Sequence, residues 1–399
     1  MPMRLYFCFM NIILFEDTTY RNQLKPLTLT RPIGNLRVGI LTINEKWERR
    51  LKAKVSFLTE AYLQKKFAYH AVKENIYINA SFLPTTGFER LLRSLSFGEC
   101  IKFGEEVVAY ASDRFGDFDN EKVKTLKEND AHVLRELPDL FHQNRTEIAY
   151  DFALITKGRL SEKISDPYTK VYSSNNIFIE KGAKFKACIL NAEEGPIYIG
   201  KNAVVQEGAV IIGPAAICEK SMVAFGARIR PNTTLGPVSR VGGEVGNTVF
   251  YGFSNKAHDG FLGNSYIGEW CNLGANTNNS NLKNDYKEVK LYNYAQEALV
   301  KTGELFCGTF MGDFTKAGIS TMFNTGTVIG VSSNVFGAGF QEKFIPSFTW
   351  GGKLEGYSPY RFDKAKEVIN ATMGRRDMEL SAEDEKILVH ILEDKKTQI

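Results

Sequence analysis

No Cys-x-x-Cys pair occurs in the 399-residue sequence. Its six cysteines, Cys8, Cys100, Cys188, Cys218, Cys271 and Cys307, stand singly. That argues against a zinc site or a disulfide framework and for reduced, cytoplasmic thiols. Charge of one sign is lacking too: 50 Lys and Arg against 46 Asp and Glu leave a net charge of +4, so the global basic field of a nucleic-acid binder is missing. No apolar run approaches the ~18 residues of a membrane span. The nearest is residues 5–15, which follows Arg4 as a secretory leader would. Glu16 and Asp17 come next, without a small-residue cleavage site. Residues 11–15 therefore read as a buried first strand, and Met10 is an alternative start. A soluble protein with neither nucleic acid nor membrane as partner is expected, and its length allows two or three domains.

What is present is a six-residue period. Ile199, Val205, Ile211, Ile217, Val223, Ile229, Leu235 and Val241 are all aliphatic. Their companions Ala203, Ala209, Ala215, Ser221, Ala227, Thr233 and Ser239 are all small. The pattern stops at Asn247 and returns as Leu305, Met311, Ala317, Phe323, Ile329 and Val335, with Thr309, Thr315, Thr321, Thr327 and Ser333 beside them; Ile267 and Leu273 keep a similar spacing between the runs. Neither a helix nor a simple strand has this period. A triangular prism of short strands does, with the aliphatic residue inside and the small one near a corner, each coil pairing with the next. Residues 274–298 carry no such phase and are Asn-rich and polar, as a functional insertion would be.

Before the prism the sequence has mixed α/β character, with strands expected at residues 11–15 and 76–80 and helices at 40–53 and 88–94. After Gly352 it turns charged, with helices expected at 363–373 and 382–392. Ser381 and Asp384 form a capping-box-like start. The domains are accordingly read as 1–170, 171–355 and 356–399.

A prism surface carries no catalytic group of its own, so the break at 246–282 holds the candidates. His258 lies there. An imidazole titrating near neutrality suits the base that takes a proton from an attacking amine, with backbone N–H groups at a coil edge meeting an oxyanion. A histidine merely hydrogen-bonded at a corner is the other reading. Arg228 and Arg230 flank Ile229, so alternation puts both outside on one face, where two guanidiniums bind a phosphate or form a solvated pair.

The stretches GARIRPN, KAHDGFLGNSYIG, CNLGANT and SNLKNDYKEV resemble the acetyltransferase half of the bifunctional N-acetylglucosamine-1-phosphate uridyltransferase/glucosamine-1-phosphate N-acetyltransferase family. The resemblance covers nearly the whole prism. It implies that Arg230, in the RxRP motif, binds the sugar phosphate and that His258 is the catalytic base. By the same likeness Asn272 and Asn281 hold the sugar and the acyl group, and Lys287 lies near the sugar phosphate. Two positions depart from it: a tyrosine of the family is Phe261 here, and a second phosphate-binding lysine is Gly246. The amino-terminal part is similar to a sugar nucleotidyltransferase. In FEDTTYRNQLKPLTLTRP, Arg21 and Lys25 match the nucleotide-binding cations and Arg31-Pro32 the basic-Pro pair that follows. The loop's glycines are absent, Glu16-Asp17 put negative charge where phosphates would lie, and the Mg²⁺-binding aspartate is Asn79, a weaker Mg²⁺ ligand.

The resemblance implies a truncated, doubly wound α/β nucleotidyltransferase-like domain, a left-handed parallel β-helix and a short helical tail. It also implies a homotrimer that moves acetyl from acetyl-CoA to glucosamine 1-phosphate and couples the product to UTP with Mg²⁺. Lys343, Lys353 and Arg361, near the last coils, are candidates for CoA phosphates or ordinary surface charge. The alternatives are an acyltransferase on another amino sugar with an inert amino-terminal domain, and a non-catalytic solenoid that binds a nucleotide sugar.

Overall fold

The computed structural model describes residues 11–394; Cys8, Met10 and the question of the alternative start lie outside them. Contacts divide the chain into two units. The first takes residues up to Leu24, Arg31–Leu36 and Leu41–Glu136, and the second Lys25–Thr30, Arg37–Ile40 and everything from Leu137.

In the first unit, the strand Asn11–Phe15 runs parallel to Val55–Leu58 on one side and Asn75–Asn79 on the other. Glu106–Ser112, Cys100–Phe103 and Val123–Thr125 extend the sheet. Ile12, Ile13 and Leu14 are fully buried, as an unbroken apolar run in a central parallel strand requires. Helix α1 (Thr18–Gln23) is capped by Asp17, whose carboxylate accepts the N–H groups of Thr19 and Tyr20. Helix α2 (Ile43–Leu51) starts three residues later than expected because Thr42 and Glu45 form a capping box. Helix α3 spans Thr86–Arg93.

The second unit is a parallel β-solenoid with three faces, and the hexad series becomes three internal ladders. On the first face, Ile179, Ile199, Ile217, Leu235, Phe250, Ile267, Met311, Ile329 and Ile345 stack in register. The second face stacks Phe185, Val205, Val223, Val241 and Lys256, then Leu273, Ala317, Val335 and Gly351. The third stacks Val171, Leu190, Ile211, Ile229, Val245 and Leu262. The small companions are buried near the corners, and some carry hydroxyls that reach corner carbonyls: Ser221 Oγ donates to Gly236 O and Thr315 Oγ1 to Gly330 O.

The expected break at Asn247 is not a break in the coil. From Val241 to Val245 the chain takes four residues, where Val223 to Ile229 takes six, so the phase slips while the coil continues. The strands Glu244–Gly252 and Phe261–Glu269 each cross two faces, turning at Asn247 and Asn264 with φ of 48° and 49°. Leu305, read as an inward rung, is 47% exposed. Its rung is held by Asn279, which pairs with Phe323. The insertion is an arm closed by a bridge between Leu282 and Phe306 and built on the hairpin Lys290–Asn293/Ala298–Lys301. The Tyr292 ring stacks on Phe344 at 3.5 Å between centroids.

Helix α4 (Asp139–Thr156) anchors the early segments of this unit. Asn144 accepts the Gly39 N–H at 2.7 Å and Asp151 that of Ile40 at 2.9 Å. Arg37 Nε donates to Tyr251 O, Tyr266 Oη accepts the Arg37 N–H, and Thr30 Oγ1 donates to Asp313 at 2.7 Å. Helices α5 (Phe362–Gly374) and α6 (Ala382–Glu393) end the described chain. Ser381 Oγ caps the Asp384 N–H as expected and donates to the Asp384 carboxylate. Among the described residues no helix is long and apolar enough to cross a membrane.

Candidate active site

The turn Ala257–Gly260 stands at the corner leading into the third face, directly over Gly242 and Gly243. A Cβ on Gly242 would lie 2.5 Å from Ala257 O, and one on Gly243 2.6 Å from Gly260 O. Two glycines are thus what lets the shortened coil pass beneath this turn. His258 is exposed on it. Beneath lies Lys256, 1% exposed, on an inward rung of the ladder. Its Nζ donates to Gly242 O at 3.1 Å and His258 O at 3.0 Å. Burial lowers its pKa to about 8, with Asp259 opposing.

On the third face the register is Arg228, Glu244, Phe261. One carboxylate holds both guanidiniums: Glu244 is 3.3 Å from Arg228 Nε and 3.2 Å from Arg230 Nη1. Both arginines remain exposed. They lie two strand spacings, ~10 Å, below the Phe261 rung. A side chain at Gly246 would come within 2.9 Å of Arg230 Cβ, so the position that departs from the resemblance leaves room for that arginine. Asparagines carry the next coil. Asn278 accepts the Phe261 N–H at 2.7 Å. Asn279, buried, accepts the Gly263 N–H and donates to Gly263 O and Ser265 Oγ. Asn281 Nδ2 donates to Asn264 Oδ1 at 2.9 Å. A Cβ on Gly263 would be 2.6 Å from Phe261 Cζ and 2.9 Å from Asn281 Nδ2, so the Phe261 ring covers Gly263 beside that amide.

The structure therefore brings Arg230, the His258 turn and Asn281 to one side of the solenoid. Asn272 lies on the neighbouring face, paired with Asn255 and Lys316. Lys287 is exposed on the arm, 3.3 Å from Asp285. Lys343 is half-buried, its Nζ 3.4 Å from Thr325 Oγ1. Its pKa is lowered first by burial and then by Lys283 and Lys290. Lys353 pairs with Glu342 at 3.0 Å and Arg361 with Asp363 at 2.6 Å. Lys256, Glu244 and Asn279 escaped the sequence reading. Following the ladder through the phase slip would have put the lysine and the asparagine inside the prism.

The amino-terminal candidates sit differently. Arg21 is buried against Glu16 at 2.8 Å and also donates to Tyr62 Oη. Glu16 in turn accepts the Ile33 N–H. The negative charge noted in the loop thus holds the very cation expected to meet a nucleotide. Lys25 is half-buried in a stretch belonging to the second unit. Asn79 does not fit a Mg²⁺ ligand: its Oδ1 accepts the Ser81 N–H and its Nδ2 donates to Glu106. Among the described residues no group of three or more His, Cys, Asp or Glu could hold a metal ion.

Comparison with known proteins bears on both units. Residues 12–160 match the family described as sugar nucleotidyl transferase. The bifunctional protein GlmU of Methanococcus aeolicus is 38% identical over 109 residues, 27% of this chain and 26% of that protein. GlmU of Methanococcus maripaludis is 34% identical over 176 residues, 42% of this chain and 41% of its own. A bifunctional sugar-1-phosphate nucleotidylyltransferase/acetyltransferase of Sulfurisphaera tokodaii is 29% identical over 168 residues, 42% of this chain and 39% of that one. The matches span less than half the length of each relative. Residues 12–160 are thus a sugar nucleotidyl transferase domain, and up to 42% of the chain is similar to part of bifunctional sugar-1-phosphate nucleotidylyltransferases/acetyltransferases.

Proposed function

We propose that the solenoid transfers an acetyl group from acetyl-CoA to the amine of an amino-sugar phosphate, with glucosamine 1-phosphate as the first acceptor to test. The observation that carries this is an exposed histidine on a raised turn, on the same side as an arginine pair that a single carboxylate leaves half-neutralised. In this reading Arg230 holds the phosphate. His258 takes the proton as the amine nitrogen attacks the thioester carbonyl, and the collapsing intermediate expels CoA thiolate. Asn281 and Asn272 hold the sugar and acyl groups, the latter from the neighbouring face. Lys287, Lys343, Lys353 and Arg361 are the cations offered to phosphates of sugar and CoA, in a homotrimer.

For the amino-terminal domain, coupling to UTP requires Arg21 and Lys25 to meet the nucleotide. The Glu16–Arg21 pair and the occupied Asn79 amide favour a second reading, in which this domain binds a nucleotide sugar without transferring phosphorus.

The test is release of free thiol from acetyl-CoA with glucosamine 1-phosphate, beside a control without acceptor. Acceptor-dependent release is expected, and His258→Ala should cut kcat about 10²–10⁴-fold. No release with any amino sugar would leave a solenoid that only binds; near-normal turnover in His258→Ala would remove that residue from the chemistry. Pyrophosphate release with UTP would refute the inert reading of the amino-terminal domain.

A further inference from the structure

A lysine in the middle of an apolar ladder calls for a reason. Below Lys256 the inward rungs of the second face are Phe185, Val205, Val223 and Val241, and above it come Leu273, Ala317 and Val335. An aliphatic residue would fill the rung without taking an ammonium out of water. The amine is a donor only, and both of its bonds go to the corner that carries His258: one to Gly242 O, one to His258 O. Those two carbonyls belong to successive coils whose corners differ in length, Gly242–Gly243 below and Ala257–Gly260 above. Both carbonyls are therefore met by a side chain from inside the prism.

We infer that Lys256 is a positioning residue for His258: its ammonium ties the His258 carbonyl to Gly242 one coil below and so fixes the direction in which the imidazole leaves the turn. The inference rests on the reading of His258 as the acetyl-transfer base. Pinning the carbonyl fixes the peptide plane that follows His258, and with it the rotation about that residue's own Cα–C bond. A base displaced by about 1 Å loses on the order of 10²-fold in rate. With its pKa near 8, the amine is mainly charged at neutral pH and keeps all its donors. Asp259, on the same turn, favours the charged form.

The test compares the full-length chain with Lys256→Met, His258→Ala and the double variant. Lys256→Met keeps the length and apolar body of the side chain and removes its donors. Deuterium exchange should become about tenfold faster at the Glu244 and Asn276 amides, which donate to Gly260 O and Asp259 O of the turn, and stay unchanged at Ser320, which donates to Ala275 O at the corner above. In the acetyl-transfer assay kcat should fall about 10–100-fold, with both KM values within about threefold. The double variant should be no slower than His258→Ala, because the lysine acts through the histidine. A double variant slower by the full factor of Lys256→Met would reduce the lysine to a structural part. Unchanged exchange at Glu244 and Asn276 would overturn the inference whether or not the chain moves acetyl. Absence of thiol release from the unsubstituted chain would instead sink the acetyl-transfer reading and leave exchange to decide the clamp. If Lys256→Met does not fold, Lys256→Gln, whose neutral amide stops one bond short of the ammonium position, supplies the comparison; wild-type exchange and kcat in that variant would overturn the inference.

Discussion

Drawing Lys256 into the prism must appear as pH-dependent stability. Its pKa falls from 10.5 for the free side chain to about 8, so the folded chain binds this proton more weakly than the unfolded one. The penalty is complete below about pH 8 and is relieved as pH rises toward 10.5; stability from this group increases with pH across that window. Each tenfold weakening of proton binding costs about 1.4 kcal/mol. The penalty is therefore about 3 kcal/mol at neutral pH, of which about 2 kcal/mol returns between pH 7 and 9.5. Lys316, also lowered to about 8 by burial, titrates in the same range. A difference between the unsubstituted chain and Lys256→Met cancels it. Urea unfolding of both, followed by the β-sheet circular dichroism of the solenoid, should show the unsubstituted chain gaining about 2 kcal/mol on the variant from pH 7 to 9.5. At pH 7 the variant escapes the ammonium's penalty but leaves the buried Gly242 carbonyl and the half-buried His258 carbonyl without the lysine's N–H, about 1–3 kcal/mol for the first and less for the second. The two chains should therefore lie within about 2 kcal/mol of one another there. A difference that does not move with pH would mean that the amine is hydrated, and the account of the corner would fail.

Three further outcomes follow from the geometry. Arg230→Ala should raise KM for the sugar phosphate about tenfold or more with a smaller effect on kcat, since a charged bond to phosphate is lost; an unchanged KM would take the arginine out of the acceptor site. Asn279→Leu strips the Gly263 N–H of its side-chain partner and leaves the Gly263 carbonyl with Ser265 Oγ alone, and should lower stability by about 1–3 kcal/mol in urea titration. A loss under about 1 kcal/mol would show that water replaces the amide. Glu16→Gln leaves the buried Arg21 with the more distant Glu60, at 3.9 Å, as its carboxylate and should cost about 2–4 kcal/mol. Stability retained, with new binding of a nucleoside triphosphate, would show instead that the pair guards a working phosphate site.

How much of this was legible in the sequence depends on whether the residue's period survived. The three ladders, the strand at Asn11–Phe15 and the helices near 363–373 and 382–392 were readable because burial of one face leaves a period in the chain. The corner at Gly242–Gly243 erased that period, and with it the inward positions of Lys256 and Asn279. Both look like surface residues until the coil is followed through the slip. Helix α4 was missed because its buried face carries Asn144, Glu147 and Asp151, two of which, Asn144 and Asp151, serve backbone N–H groups of Gly39 and Ile40 rather than an apolar core. Arg21 illustrates the reverse error. A cation in a phosphate-loop position reads as a ligand group until its buried carboxylate is seen five residues earlier.

The solenoid unit takes its first pieces from Lys25–Thr30 and Arg37–Ile40, and one of its bonds, from Thr30 to Asp313, spans 283 positions. On a ribosome those early segments emerge long before the coils that receive them. They must stay available while α4 and then successive rungs are made, so completion of the second unit waits on nearly the whole chain. A cut before Leu137 would therefore not release a finished solenoid. Tyr266, Asp151 and Asp313 would each lose a partner supplied from upstream, and the severed 25–40 stretch becomes a natural peptide with which to restore them.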